Sequence, residues 1–471
     1  MVQFIGTDIS IMIKFELRKS SEKPLLKCGK MRIMFLSIII TVLLTVTLTF
    51  AFNSIGHGGI VYSSTSPVKV SKLSEAPLSQ WNKTYGGINQ DRPLALVQTS
   101  DKGYAIACST YSYGAGSADV WLIKTDAYGN IEWDKTYGGP SSDWASALVK
   151  TSDGDYVILG STYSYGAGLS DAWLIKTDAY GNVKWNKTYG GMYRERAWAL
   201  VQTFDGGYAI IGSTSSYWGE SAVVWLVKTD SYGNMEWSKT YGRTDWSWTW
   251  ALIQSSDGGY AMAGSTSAYR VKSADIWLIK TDAYGNMKWN ITYGGQMYEG
   301  ASALVQTSDG GYAILGSTYS YGVGSADIWF IKTDVYGNME WNKTYGGTDW
   351  DWASALVKTS DGGYAIAGCT RSSGAGLCDV WLIKTDACGN IEWDKTYGGP
   401  SSDWASALVQ SFDGGYAIAC STSSYGAGNA DIWLVKLIVP ECSSLTILLV
   451  LTALIALTAA FVKKTSRKPK P

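Results

Sequence analysis

The chain has 471 residues, with 39 Lys and Arg against 40 Asp and Glu, and 13% aromatic residues that include 23 Trp and 31 Tyr. A charge balance this even excludes a dedicated nucleic-acid binder, which needs a basic face. The one histidine, His57, rules out chemistry built on several histidines, and seven Cys with no C-x-x-C spacing imply no thiolate metal centre.

In chain order, residues 1–32 are a basic segment, in which Met31 offers a second start that would leave 1–30 untranslated. Residues 33–52 carry no charge and follow Lys27, Lys30 and Arg32. An uncharged run of about 18 or more residues reads as a membrane span, and basic residues collect on its cytoplasmic side. The same run also reads as a signal peptide. A linker, 53–80, leads into a long repetitive region, 81–437. After a second linker, 438–444, comes an apolar run at 445–462, read as a membrane anchor, and a basic tail, 463–471, with Lys463, Lys464, Arg467, Lys468 and Lys470. Both basic clusters then lie inside and the repeats outside, so the membrane is an expected partner.

The repeat is regular. Tryptophan opens W-x-K-T-Y-G or its variants at Trp81, Trp133, Trp185, Trp237, Trp289, Trp341 and Trp393, each 52 residues after the last. A second column, in W-L-I-K, falls at Trp121, Trp173, Trp225, Trp277, Trp329, Trp381 and Trp433, again every 52. Fixed self-similarity of this kind marks a repeat architecture. One unit predicts four strands: A-L-V-Q-T, a tight S-D-G-G turn, Y-A-I-A-G-S-T, a longer loop such as Y-S-Y-G-A-G-S-A, D-V-W-L-I-K-T-D, an A-Y-G-N turn, and I-E-W-D-K-T-Y. No stretch within the units has helical periodicity.

These strands are apolar on both faces, so both must be covered by neighbouring sheets. Radial stacking of four-stranded sheets does this in a β-propeller. The first unit opens with a lone fourth strand at 81–85, and the last stops after its third strand at Lys436. Joining the two orphans closes seven blades, three strands of the last coming from the C-terminal end and one from the N-terminal end. The expected fold is therefore all-β, a seven-bladed β-propeller flanked by N- and C-terminal apolar helices.

The run W-x-K-T-Y-G-G, D-W-A-x-A-L, D-G-G-Y-A-I-x-G-S-T resembles the SBBP-type repeat of predicted seven-bladed propellers in bacterial and archaeal surface proteins, over about residues 81–437. That resemblance implies fold and surface location rather than an activity. The turn D-A-Y-G-N-I-E-W also resembles the tryptophan-docking motif of quinoprotein propellers, with one residue of difference between Asp and Gly. Those enzymes usually have eight blades, and no quinone or other cofactor is implied. Pro440-Glu441, the apolar run and the basic tail together resemble an archaeal sorting signal, with Cys442 where the family usually has Phe.

Nine Trp fall outside the two columns. Trp218 lies between second and third strands, and Trp144, Trp198, Trp246, Trp248, Trp250, Trp350, Trp352 and Trp404 precede or open first strands. In a four-stranded blade those connections share one face, which also receives Tyr111, Tyr113, Tyr163, Tyr165, Tyr319 and Tyr321. Aromatic rings give rigid contact area and are enriched in binding hot spots. The candidate ligand site is Trp144, Trp218, Asp245, Trp246, Trp248, Trp250, Trp350, Trp352 and Trp404. An acidic column on the same face, Asp91, Asp143, Glu195, Glu299, Asp351 and Asp403, reads either as acceptors for sugar hydroxyls or as structural bonds to a neighbouring loop.

The Lys column from Lys124 to Lys436 reads as solvated. Asn82, Asn186, Asn290 and Asn342 begin N-x-T and are candidate glycosylation sites on the outer rim. Cys369 and Cys378 flank one loop and form a candidate disulfide that would persist outside the cytosol. Cys108 and Cys420 occupy equivalent places and should not meet. No catalytic residue and no metal ligand stand out. The functional expectation is a membrane-anchored extracellular binding, adhesion or scaffold module with a cell-surface glycan or protein as partner. The alternatives are a glycan-active hydrolase or lyase using face carboxylates, and a purely structural surface-layer component.

Overall fold

A computed structural model describes residues 78–215, 223–242, 247–267 and 273–439. The apolar runs 33–52 and 445–462, expected as flanking helices, and the domain limits drawn around them lie outside the described residues. Among the described residues every regular element is a strand.

Strand β1 (Leu78–Tyr85) precedes the first blade, which is formed by β2 (Asp91–Gln98), β3 (Tyr104–Thr110), β4 (Asp119–Thr125) and β5 (Ile131–Tyr137). Strands β6 to β25, from Asp143 to Tyr397, repeat this order five times. Strands β26 (Asp403–Gln410), β27 (Tyr416–Thr422) and β28 (Asp431–Ile438) form the last blade, and β1 completes it in the order β1-β28-β27-β26. The seven four-stranded sheets and the expected closure are therefore present. Strand β1 starts three residues before the expected 81. It pairs antiparallel with β28, Leu78 opposite Ile438 and Tyr85 opposite Ile432. First strands touch first strands all the way round, β2 against β6 and so on to β26 against β2, which closes the ring and puts these strands innermost.

The core lies between blades rather than within them. Each of seven apolar clusters joins one face of a sheet to the opposite face of the next. Blade one shows why the alternation is apolar on both sides. Tyr104, Ile106, Cys108, Trp121 and Ile123 pack against Ala417, Ala419, Ile432 and Leu434 of the last blade. Ala105, Ala107, Val120 and Leu122 face the next blade and receive Tyr156, Ile158 and Trp173. Large side chains thus enter a surface of small ones, which is how dense interiors fill. The outer-strand Trp lies edge-on to the second-strand Tyr of the next blade, as in Trp81 with Tyr104 at 6.0 Å, at six junctions. At the other, Phe330 stands between Trp341 and Tyr364.

A polar latch accompanies six of these seven contacts. The Tyr ending an outer strand donates to the carbonyl of the turn glycine in the next blade, Tyr85 Oη to Gly129 O at 2.6 Å and Tyr137 Oη to Gly181 O at 2.7 Å. The same bond recurs from Tyr189, Tyr241, Tyr293 and Tyr345. Gly129 has a φ of 77°, and a side chain there would strike the Trp81 ring. The A-Y-G-N turn needs glycine on both counts.

The Lys column corrects the reading of solvated lysines. Lys124 is 4% exposed, and its Nζ donates to Asp101 at 2.7 Å, Glu132 at 2.6 Å and the Thr125 carbonyl at 2.8 Å. Equivalent pairs hold Lys228, Lys280, Lys332, Lys384 and Lys436. The aliphatic stem crosses the apolar sheet while the ammonium reaches a carboxylate at its edge. Sequence alone does not show that the S-D-G-G Asp and the outer-strand Glu converge there.

Two outcomes follow. A chain beginning at residue 87 lacks β1 and leaves β28 as a bare edge; its melting temperature should fall by about 10 °C or more, with concentration-dependent aggregation, read by circular dichroism. The second concerns acid. Burial opposes ionisation of Asp101, yet hydrogen bonds from Lys124, Thr99 and Gly103 hold its carboxyl down at about 2. The Asp153 carboxyl is also held at about 2, by Thr151 first and then Lys176 against burial. A depressed folded value gives stability that is complete above the unfolded value, roughly 4, and is lost as pH falls through the folded one. Melting temperature should therefore drop most steeply between about pH 4 and pH 2.

Candidate functional site

The acidic column lies inside the wall of the propeller. Asp91, Asp143, Glu195, Glu299, Asp351 and Asp403 are each 0% exposed. Asp143 accepts hydrogen bonds from Gly139 N at 2.8 Å, from Ser164 Oγ at 2.6 Å and from the Thr162 hydroxyl. Asp91 and Asp403 repeat the pattern with Gly87 and Ser112, and with Gly399 and Ser424. Each carboxylate ties the loop entering its blade to the loop between second and third strands. The reading as hydroxyl acceptors on an open surface gives way to the structural alternative, because no carboxylate oxygen of the column reaches solvent.

Several loop tyrosines are also committed. Tyr113, Tyr165, Tyr321 and Tyr425 tilt over the third-strand Trp at 4.9–5.3 Å. Their hydroxyls donate to the carbonyls of Gly86, Gly138, Gly294 and Gly398. They cap the blade edges.

The surplus tryptophans divide. Trp218, Asp245 and Trp246 lie outside the described residues, as does the side chain of Trp248. Trp198 and Trp250 occupy matching places on first strands, each at a register shift where one residue is extra. Such bulges re-aim a side chain, and the two rings meet at 4.5 Å across adjacent blades, with Trp250 40% exposed. Trp144 lies half-buried, edge-on to Tyr163 at 5.4 Å. Trp404 stands 37% exposed.

Blades five and six hold a denser group. Trp350, 37% exposed, lies edge-on to Trp352 at 5.1 Å and to Tyr319 at 6.4 Å, and Tyr319 meets Tyr298 at 5.9 Å. The Arg371 guanidinium sits 5.6 Å from the centres of both Trp350 and Trp352. Arginine beside two aromatic rings is held by cation–π attraction, and the residue is exposed. Sequence reading missed Arg371. The signal was present: the equivalent positions are Tyr111, Tyr163, Ser215, Ser267, Tyr319 and Ser423, all uncharged.

Cys369 and Cys378 lie side by side as buried thiols. The hydrogen bond between them, with Arg371 nearby, draws the Cys378 thiol below its usual range against burial. Cys108 and Cys420 are separate buried thiols.

The four N-x-T asparagines are exposed on outer strands, and they have a role that sequence reasoning missed. Asn82, Asn186, Asn290 and Asn342 each accept a hydrogen bond at their Oδ1 from a third-strand Trp Nε1, at 3.0–3.2 Å. Asp134 and Asp394 do the same for Trp121 and Trp381. The equivalent residue in blade three is Ser238, and there the buried Trp225 Nε1 has no partner.

The described residues thus form a seven-bladed β-propeller with an aromatic, loop-rich face and an opposite face of tight turns. No protein-family model matches the chain, and no curated protein matches it. Solved structures share the fold at low identity. The polysaccharide lyase Uly1 is 10% identical with a TM-score of 0.49, over 80% of this chain and 94% of that one. The WD40 domain of Neurospora crassa Pan2 is 12% identical with a TM-score of 0.44, over 74% and 90%. A protein of unknown function from Dyadobacter fermentans is 9% identical with a TM-score of 0.46, over 77% and 99%. Likeness at this identity concerns the fold alone.

Supplying the missing acceptor gives a direct check on the Trp–Asn bonds. Ser238→Asn should raise unfolding free energy by about 1 kcal/mol, the value of one buried hydrogen bond, as a higher midpoint in urea.

Proposed function

We propose that the chain is a membrane-anchored extracellular binding module whose loop-rich face recognises a cell-surface glycan, with blades five and six as its centre. The observation that carries this reading is the exposed Arg371 guanidinium set 5.6 Å from the ring centres of both Trp350 and Trp352. A pyranose presents an apolar C–H face to a ring and hydroxyls to a planar donor, so the pair supplies both contacts at one place. Because the guanidinium is already positioned by the rings, little side-chain freedom is lost on binding. Trp404 and Trp250 extend the exposed aromatic surface to other blades.

Anchoring rests on the uncharged runs 33–52 and 445–462 and their basic flanks. It is compatible with the exits of the propeller. Leu78 and Ile438 are paired at the tight-turn end of the last blade, so tethers continuing from either one leave the aromatic face free. Glycans on Asn82, Asn186, Asn290 and Asn342 would sit on the outer strands, away from that face. The alternative of a glycan-cleaving enzyme lacks support from the acidic column. Glycoside hydrolysis needs two carboxyl groups at a set separation with access to substrate, and these are enclosed.

A glycan array probed with the full chain tests the reading. Trp350→Ala and Arg371→Ala should each weaken binding by tenfold or more, as expected for central aromatic and Arg anchors, with melting temperature as the control for folding. Binding that survives both substitutions puts the site elsewhere; no binding to any glycan overturns the ligand class.

A further inference from the structure

Six of the seven blade junctions enclose two acids. The first is the third-strand Asp of one blade, and the second is the first-strand acid of the next: Asp119 with Asp143, Asp171 with Glu195, Asp275 with Glu299, Asp327 with Asp351, Asp379 with Asp403, and Asp431 with Asp91. All twelve except Asp275 are at most 1% exposed. They converge on one glycine. A Cβ on Gly138 would collide with Asp119 Oδ1 and lie 3.1 Å from Asp143 Oδ2. Gly86, Gly190, Gly346 and Gly398 show the same approach by their own two acids.

The bonding of the two differs. Asp143 is surrounded by donors, as described above. Asp119 accepts Gly116 N at 2.9 Å through Oδ2, but its Oδ1 is buried and has no partner. The Oδ1 atoms of Asp379 and Asp431 are likewise buried and unpartnered. None of the ion pairs among the described residues reaches these three acids. A buried charge without compensation costs several kcal/mol, and here two like charges adjoin. Burial, with Glu195 alongside, raises the Asp171 carboxyl, and burial with Glu299 raises that of Asp275.

The seventh junction supplies an independent observation. Between blades three and four, Val223 stands in place of the first acid and Ser247 in place of the second. The acids are present together six times and absent together once. Two residues that each pinned only their own loop would be replaced separately. Joint replacement fits a single occupant that both acids hold.

We propose that the junctions of Asp119 with Asp143, Asp379 with Asp403 and Asp431 with Asp91 each bind a hard divalent cation of the calcium class, seated between the unpartnered Oδ1 of the third-strand Asp and the carboxylate of the following first-strand acid, and fastening one blade to the next. Carboxylate and carbonyl oxygens are the donors such cations take. The absence of a calcium-loop motif in the sequence is accounted for, because the two acids come from different blades. Cation binding would neutralise each pair and stabilise the closed ring by mass action.

The full chain, stripped with chelator and dialysed at neutral pH, is titrated with Ca2+, and bound ion is counted by equilibrium dialysis. Melting is followed in parallel with Ca2+, Mg2+ or Na+ alone. The expected result is about three Ca2+ per chain and a melting temperature that rises by several degrees at millimolar Ca2+ but not with equal ionic strength of Na+. Asp119→Asn should remove one equivalent, since the amide can satisfy Asp143 without metal. If that variant does not fold, the stoichiometry of the unaltered chain decides. Retention of no Ca2+, with melting temperature falling as pH rises from about 6 to 8, would show that a shared proton fills each pair and would overturn the proposal. Unchanged stoichiometry in a folded Asp119→Asn would do the same by placing the ion elsewhere.

Discussion

The whole structure depends on contact between the large face of one sheet and the small face of the next. A single unit cannot exist alone, because Ala105, Ala107, Val120 and Leu122 on one side and Tyr104, Ile106 and Trp121 on the other would both face water. Only when the last sheet meets the first are all of these faces covered. This is why the outer strand of the final blade is taken from the other end of the propeller. Leaving that strand as an orphan would expose an apolar sheet edge and one unmatched face. The Tyr–Gly latches and the Trp–Tyr edge contacts set spacing and angle between blades, but the apolar match makes the ring necessary.

The fold was legible because the period is unbroken. Tryptophans at a constant interval of 52, strands apolar on both faces and two orphan segments at the ends leave few other arrangements. Roles that arise between blades or between distant strands were less legible. Lys124 looks like a solvated residue because its partners, Asp101 and Glu132, lie on either side of it in sequence and meet it only through sheet pairing. Asn82 looks like a glycan acceptor, and only the pairing of β1 with β28 shows that it also holds Trp433. The acidic column looks like a decorated surface because sequence position gives the face of the disc but not the depth. Arg371 could have been singled out as the one charged residue among seven equivalents, but that comparison carries weight only once Trp350 and Trp352 are seen beneath it.

Function is to be sought where the repetition breaks. Six acidic junctions, six buried lysines and the aligned turns are alike because they make blades, and likeness around a ring marks no single place for a ligand. Blade six departs from its fellows at Arg371, Cys369 and Cys378 together, all about one loop-rich corner. Blade three departs by subtraction, losing the Trp225 partner, and its junction with blade four loses both acids. A symmetric frame tolerates such local changes because each blade touches only its two neighbours.

The pairing of Leu78 with Ile438 has a mechanical consequence. The two strands that lead out of the propeller are antiparallel neighbours, and both leave it from the same end. Force drawing those exits apart would load the hydrogen bonds of β1 and β28 one rung after another, as a zipper opens, instead of shearing all rungs at once. The final blade also has no turn between its third and fourth strands, so the Tyr–Gly latch used elsewhere cannot be repeated there. Under tension the ring therefore yields first at its own closure. Attachment of both exits to a single surface keeps them side by side and spares that joint from load.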